Sequence, residues 1–149
     1  MTTQEPPTDR KFFTPEQANR MLPLVKRIVA DITSTTRELM AREARMNQIG
    51  PEPGEPLNDV YHKDFIEAQE EQEDGVARLH ELREELESLG ILLKDYQRGL
   101  VDFPCWVDGR EVYLCWHEGE DAVLWWHEIA DGFAGRRPID EISVICSQQ

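Results

Sequence analysis

The chain is short of cysteine, of positive charge and of long apolar runs, and each shortage narrows what it can be. Its 3 cysteines show no CxxC spacing, which excludes a disulfide-stapled secreted scaffold and fits a reducing compartment. Only 16 Lys and Arg stand against 30 Asp and Glu, a net charge of −14. Phosphate neutralisation needs a clustered basic surface, so nucleic acid is not an expected partner. No run of ~18 apolar residues is present, which excludes a transmembrane helix and argues against a membrane partner. Met1 to Arg10 is polar and lacks the apolar segment of a secretory signal, so a cytoplasmic location is expected. No recognised catalytic spacing occurs, and no enzyme class follows. At 149 residues the chain is long enough to bury one core without staples.

What is present divides cleanly. Residues 1–12, with Pro6 and Pro7, read as a flexible tail, and residues 13–149 as one α+β domain. A helix start is written at Thr14-Pro15-Glu16-Gln17: Thr14 caps, Pro15 takes the first helical position and Gln17 completes a capping box. Apolar residues then recur at Ala18, Leu22, Val25, Val29, Ile32, Leu39 and Met46, a heptad-like seam. Pro23 removes a backbone donor and predicts a kink in the first turns. A Pro/Gly-rich loop over residues 48–57 separates this from a second seam of Tyr61, Phe65, Ala68, Gln72, Val76, Leu79, Leu82, Leu86 and Leu89, stopped by Gly90. Two helices of about 32 residues, each about 48 Å long, should fold back as an antiparallel hairpin over 13–90 with coiled-coil character. The first helix carries six bases and four acids, the second three bases and eleven acids, so opposite charge favours the pairing.

Residues 91–149 change to the alternating period of an antiparallel sheet. Ile91–Leu93 is a short strand, and Val101–Val107 and Arg110–Trp116 flank an Asp108-Gly109 turn, a hairpin signal. A third strand is expected over Asp121–Ile129, then a loop over Asp131–Asp140 and a short terminal strand over Ile142–Cys146. The two-residue turn pairs Val107 with Arg110, Cys105 with Val112, Phe103 with Leu114 and Asp102 with Cys115. One face then carries Val101, Phe103, Cys105, Val107, Val112, Leu114, Trp116, Val123 and Trp125 and should be core. The other carries Asp102, Pro104, Trp106, Glu111, Tyr113, Cys115, His117, Leu124, Trp126 and Glu128, a mixture of aromatic and ionisable groups. Cys105 and Cys115 fall on opposite faces and should not form a disulfide.

On the mixed face Asp102, Cys115 and His117 are expected neighbours, a set suited either to a divalent metal or to a thiolate activated by histidine. The plain alternative is a small apolar Cys and a solvated His beside a turn. Trp126 should lie in an exposed patch fit for a partner. His127 falls on the core parity, as a satisfied core histidine, unless a bulge re-aims it. The Gly132–Pro138 loop offers Arg136 for an anion, against the simpler reading of a pair with a nearby carboxylate.

The stretches Phe13–Asn19, Leu22-Pro23, Leu89-Gly90, Lys94-Asp95, Gly99–Pro104, Gly109-Arg110, Leu114–Trp116, Gly119-Glu120, Trp126–Glu128 and Gly132–Pro138 together resemble the domain of unknown function 2203 family. The resemblance implies a small cytoplasmic bacterial protein and carries no established activity. It singles out Asp102, Arg110, Cys115, Glu120, Trp126, His127 and Arg136 as candidate ligand- or partner-binding positions, with Asp102, Cys115 and His127 the candidate metal ligands. His117 is not among them. Two expectations follow. One is a binding or assembly module, self-associating or holding a protein partner through the hairpin and the aromatic sheet face. The other is a small metal-dependent or acid/base enzyme around Asp102, Cys115, Glu120, His127 and Arg136.

Overall fold

The computed structural model describes residues 5–49 and 59–142. Helix α1 runs over Pro15–Ile49 and α2 over Asp59–Ser88. A five-stranded antiparallel sheet follows, in the order β1 (Leu92–Asp95), β2 (Leu100–Val107), β3 (Arg110–His117), β4 (Trp125–Glu128) and β5 (Arg137–Pro138). The class is α+β. Of the loop expected over 48–57, residues 48 and 49 are instead the end of α1; the rest of it, the side chain of Tyr61 and most of the terminal strand expected over Ile142–Cys146 lie outside the described residues.

The helix start is built as its sequence implies. The Gln17 amide donates to Thr14 Oγ1 (3.1 Å), and the Thr14 amide donates to Gln17 Oε1 (3.0 Å), so two otherwise orphaned donors are satisfied. Just before it, the Phe13 amide donates to the Pro104 carbonyl (2.7 Å) on the edge of β2 that the short β1 leaves uncovered. Helix α1 continues through Pro23.

The α1 seam buries Ala18, Leu22, Val25, Val29 and Ile32 against the sheet, and Leu39 further along. In α2 the seam departs from expectation at one step. Val76 is 57% exposed, and the position facing α1 is Gly75, where a Cβ would lie 2.6 Å from Leu39 Cδ2. Placing Gly75 in the seam restores a strict three-four alternation from Phe65 to Leu89, which an apolar count overlooks because glycine has no side chain to count. The charge expectation is met thinly: among the described residues one ion pair joins α1 to α2, Arg42 Nε to Glu71 Oε2 at 3.2 Å.

The sheet's central register is the expected one, with Val107 opposite Arg110, Cys105 opposite Val112, Phe103 opposite Leu114 and Asp102 opposite Cys115. Asp108 and Gly109 both take positive φ (54° and 76°), the mirror-image turn whose twist matches a hairpin. Cys105 and Cys115 are both free thiols. The third long strand is shorter than expected: residues 121–124 are not strand, and the loop expected after Asp131 contains a 3-10 turn (Phe133–Gly135) and β5.

That shortening reverses the parity of β4. Asn19 on α1 takes the place of a strand neighbour for Val123: the Val123 amide donates to Asn19 Oδ1 (2.8 Å), and Asn19 Nδ2 donates to the Val123 carbonyl (3.2 Å). Val123 is thereby held in the core, Leu124 turns out, and the strand restarts with Trp126 opposite Leu114 on the core face. Trp125 and His127 consequently lie on the mixed face, the opposite of their expected sides.

Candidate functional site

The changed parity assembles the site. Directly opposed residues share a face, so β2 contributes Asp102, β3 contributes Cys115 and Tyr113, and β4 contributes Trp125 and His127. Cys115 sits on the middle strand of the three. Its small side chain leaves room for Asp102 and His127 to meet from the flanking strands, which are separated by about 10 Å across two ladder spacings. One donor atom each from Asp102, Cys115 and His127 lies within 4.8 Å of the others. All three residues are buried, Cys115 fully.

The hydrogen bonds fix how the imidazole is used. Nδ1 lies 2.8 Å from the Glu128 carbonyl oxygen. A carbonyl only accepts, so Nδ1 carries a proton. Nε2 lies 3.1 Å from Asp102 Oδ1. Burial opposes the charged ring, but hydrogen bonds to Asp102 and Cys115, the Glu128 carbonyl and the Asp102 charge outweigh it, and the imidazole is raised from 6.5 to about 10. The His127 ring packs edge-on against Tyr113 (5.7 Å between centroids), whose ring carries the Lys94 ammonium at 5.0 Å. Burial is the first influence raising the Tyr113 phenol above its usual value, followed by the Glu111 and Asp102 charges.

The remaining expected residues are placed elsewhere. His117 does not join Asp102 and Cys115. It pairs across the strands with Leu100, and its ring turns to the Glu118 carbonyl (2.9 Å) and Glu120 (3.7 Å). Trp126 is not an exposed anchor but is 3% exposed within the core, a direct result of the parity change. Arg136 is engaged as the plain reading had it. Its Nη2 donates to Glu120 Oε1 (2.6 Å) and to the Cys115 carbonyl (3.4 Å), while its guanidinium lies 5.2 Å from the Trp125 ring centre and 4.7 Å from that of Phe133. Glu120 also accepts from the His117 amide (3.0 Å), so the turn after β3 and the loop before β5 are stapled together beside Cys115. Arg110 stands apart at the rim, held by Glu128 through Nε (2.9 Å) and Nη2 and lying 3.9 Å from Asp108.

Chemically, this arrangement does not form a nucleophile relay. A relay needs an acid on one ring nitrogen and the nucleophile on the other, whereas here a carbonyl holds Nδ1 and the acid faces Nε2. The thiol is also fully buried. What the three side chains do provide is converging oxygen, sulfur and nitrogen donors, a set that can hold a cation. Reading of spacing misses one residue that shapes this, Asn19, which sets the β4 parity. Spacing opposes the Cys to the Asp, the family resemblance adds His127, and the interruption at residues 121–124 is what turns His127 to their face.

A second feature lies at the far end of the hairpin. Beyond Leu39 on α1 and before Leu79 on α2, the helices pack mainly on each other, apart from Gln97, whose Nε2 donates to Met40 Sδ (3.3 Å), and Met40, Ile66 and Val76 are exposed. Met46, Phe65 and Val76 line a groove with Glu43, Gln69 and Glu73 around them. Among the described residues no helix is long and apolar enough to cross a membrane.

No curated protein and no solved structure matches this chain. One family profile does, over residues 11–139, a span that takes in both helices, the whole sheet and the Asp102–Cys115–His127 cluster. The chain therefore belongs to the family described as "Uncharacterized conserved protein (DUF2203)".

Proposed function

We propose that this chain is an assembly module whose distal hairpin docks against the hairpin of a second copy. The observation that carries this reading is the apolar surface left on the two helices once they extend past the sheet. Val76 is 57% and Met40 49% exposed, beside the groove that Phe65 and Met46 line. A two-helix segment buries one seam and leaves its outer apolar residues in water, and closing a four-helix bundle with a second hairpin removes them.

Charge favours a copy of the same chain as occupant. Helix α1 is mildly basic and α2 strongly acidic, yet a single described ion pair crosses between them. The mismatch is thus left for another surface, and a two-fold arrangement sets α1 of one copy against α2 of the other. The aromatic sheet face contributes less than its composition implies. Trp126 is in the core, and the Trp106 ring is packed by Phe12 (5.4 Å between centroids).

Light scattering and sedimentation equilibrium of the full chain test the reading. A dimer is expected that weakens as salt screens the helix charges and dissociates in Val76→Glu, with helix content unchanged. A monomer at every concentration overturns the proposal. A dimer indifferent to both Val76→Glu and Met40→Glu also overturns it, because the contact then lies off the hairpin.

A further inference from the structure

We propose that Asp102, Cys115 and His127 bind a first-row divalent transition metal, zinc above all. The donors are one carboxylate oxygen, one thiolate sulfur and one imidazole nitrogen, the borderline set that such ions take in preference to Ca²⁺ or Mg²⁺. At tetrahedral zinc, with bonds of about 2.0 to 2.3 Å, neighbouring donors lie roughly 3.3 to 3.7 Å apart. Here His127 Nε2 and Asp102 Oδ1 are 3.1 Å apart, and the widest separation in the set is within 4.8 Å. Adjustments of about an ångström or less within side-chain rotamers would close the set around an ion.

The imidazole is already oriented for the task. With Nδ1 donating to the Glu128 carbonyl, the lone pair of the neutral ring belongs on Nε2, the nitrogen aimed at Asp102. Histidine ligands are ordinarily held this way, through the second nitrogen on a carbonyl or carboxylate. A lone pair facing a carboxylate in a buried site repels it unless a cation lies between, so the pocket calls for either a proton or a metal. When a divalent ion enters, the proton on His127 Nε2 and the proton of the Cys115 thiol leave to solvent. Asp102 and Cys115 then bring two negative charges to a doubly positive ion, and the buried site is neutral, as burial requires. Arg136, on the Cys115 carbonyl and Glu120, braces the middle strand beneath the thiol. Three protein ligands leave one coordination position, which water can fill.

The test uses the full chain, purified without an affinity tag and stripped by chelator, then titrated with Zn²⁺ and separately with Co²⁺. Expected results are one ion per chain, a rise in melting temperature with Zn²⁺, and a thiolate-to-cobalt charge-transfer band in the near ultraviolet. Cys115→Ser abolishes the band and Asp102→Asn weakens binding, whereas Cys146→Ser leaves both unchanged. Absence of the band in the wild-type chain overturns the site, and so does its survival in Cys115→Ser or its loss in Cys146→Ser. If Cys115→Ser fails to fold, the double variant Cys105→Ala/Cys146→Ser, which keeps Cys115 as its one thiol, decides: the band persists if Cys115 is the ligand and is lost if it is not. The result is independent of oligomeric state, because every ligand comes from one chain.

Discussion

The hairpin has two halves that follow different rules. Near the sheet, α1 is buried by Ala18, Leu22, Val25, Val29 and Ile32, and α2 by Leu82 and Leu86, against the inward face of β2 and β3. Beyond Leu39 no sheet face covers the same helices, and their seam includes Gln72 and Gly75 in place of large apolar groups. Gln72 Nε2 donates to the Leu39 carbonyl (2.8 Å) and Arg42 Nη1 donates to Gln72 Oε1 (3.2 Å), so polar contacts stand where apolar ones stand nearer the sheet. The contrast teaches that a continuous heptad pattern does not imply uniform stability. Its local strength depends on whether a third layer covers it.

The strongest way to break this comparison is to remove one aromatic from each half. Phe103 is fully buried and packs edge-on against Phe13 (5.4 Å between centroids). At dilutions where the chain is monomeric, Phe103→Ala should cost about 3–5 kcal/mol, and Phe65→Ala in the distal half about 1 kcal/mol, where water and neighbouring side chains fill the gap. Urea unfolding measures both. Amide exchange gives the same contrast without mutation, with β2 and β3 protected near the global limit and the distal helical amides exchanging through local opening. In the dimer the cost at Phe65 should rise toward that at Phe103; equal costs already in the monomer would mean that the two halves of the hairpin do not differ.

Asn19 comes next. Its side chain holds both backbone groups of Val123 and donates to the Pro15 carbonyl (3.0 Å). Asn19→Ala leaves these part-buried groups unpaired, at about 2–3 kcal/mol. Because this clip sets the β4 parity, the variant should also disturb tryptophan fluorescence, while an equally destabilising change in the distal hairpin should not. A stability loss with an unaltered spectrum would show that β4 keeps its register unaided.

Asn19 and Gly75 also mark where the sequence stops being readable. The capping box, the two helices, the Asp108-Gly109 turn and the β2–β3 register follow from local chemistry, and each is found as expected. The parity of β4 does not, since alternation read through Asp121–Ile129 has no means of registering that a helix residue 104 positions away interrupts it. The candidate site was therefore half legible. Register alone opposes Asp102 to Cys115, while His127 joins them only through the family resemblance, since alternation places it on the wrong face and offers His117, which does not join the set. Arg136 was placed correctly only in its plainer reading, as the partner of a carboxylate.

Gly75 sharpens the comparison at smaller scale. Replacing a mid-helix glycine by alanine ordinarily gains up to about 1 kcal/mol. Here the new methyl would meet Leu39 Cδ2 at 2.6 Å, the end of a flexible side chain. Gly75→Ala alone should therefore be close to neutral, and in a Leu39→Ala background it should stabilise by about 0.5–1 kcal/mol, a coupling that a double-mutant cycle in urea resolves. A gain of the same size in both backgrounds would show that the helices do not approach closely there.

The smallest effect lies at the rim of the sheet, between Arg110 and Glu128. The hydrogen bond from Arg110 is the main cause lowering the Glu128 carboxyl below its usual 4.5; slight burial opposes it, and the charges of Arg110 and Arg137 reinforce it. A carboxyl lowered in the folded state adds stability above its unfolded value, and that contribution disappears as pH falls through the folded value. Both partners are substantially exposed, 45% for Arg110 and 30% for Glu128, so solvent limits the pair to about 0–1 kcal/mol. The stability difference between wild type and Glu128→Gln should be flat above about pH 5 and shrink below it, and salt should diminish it throughout. A larger difference, or one growing toward acid, would show that Glu128 contributes something other than its exposed pair with Arg110.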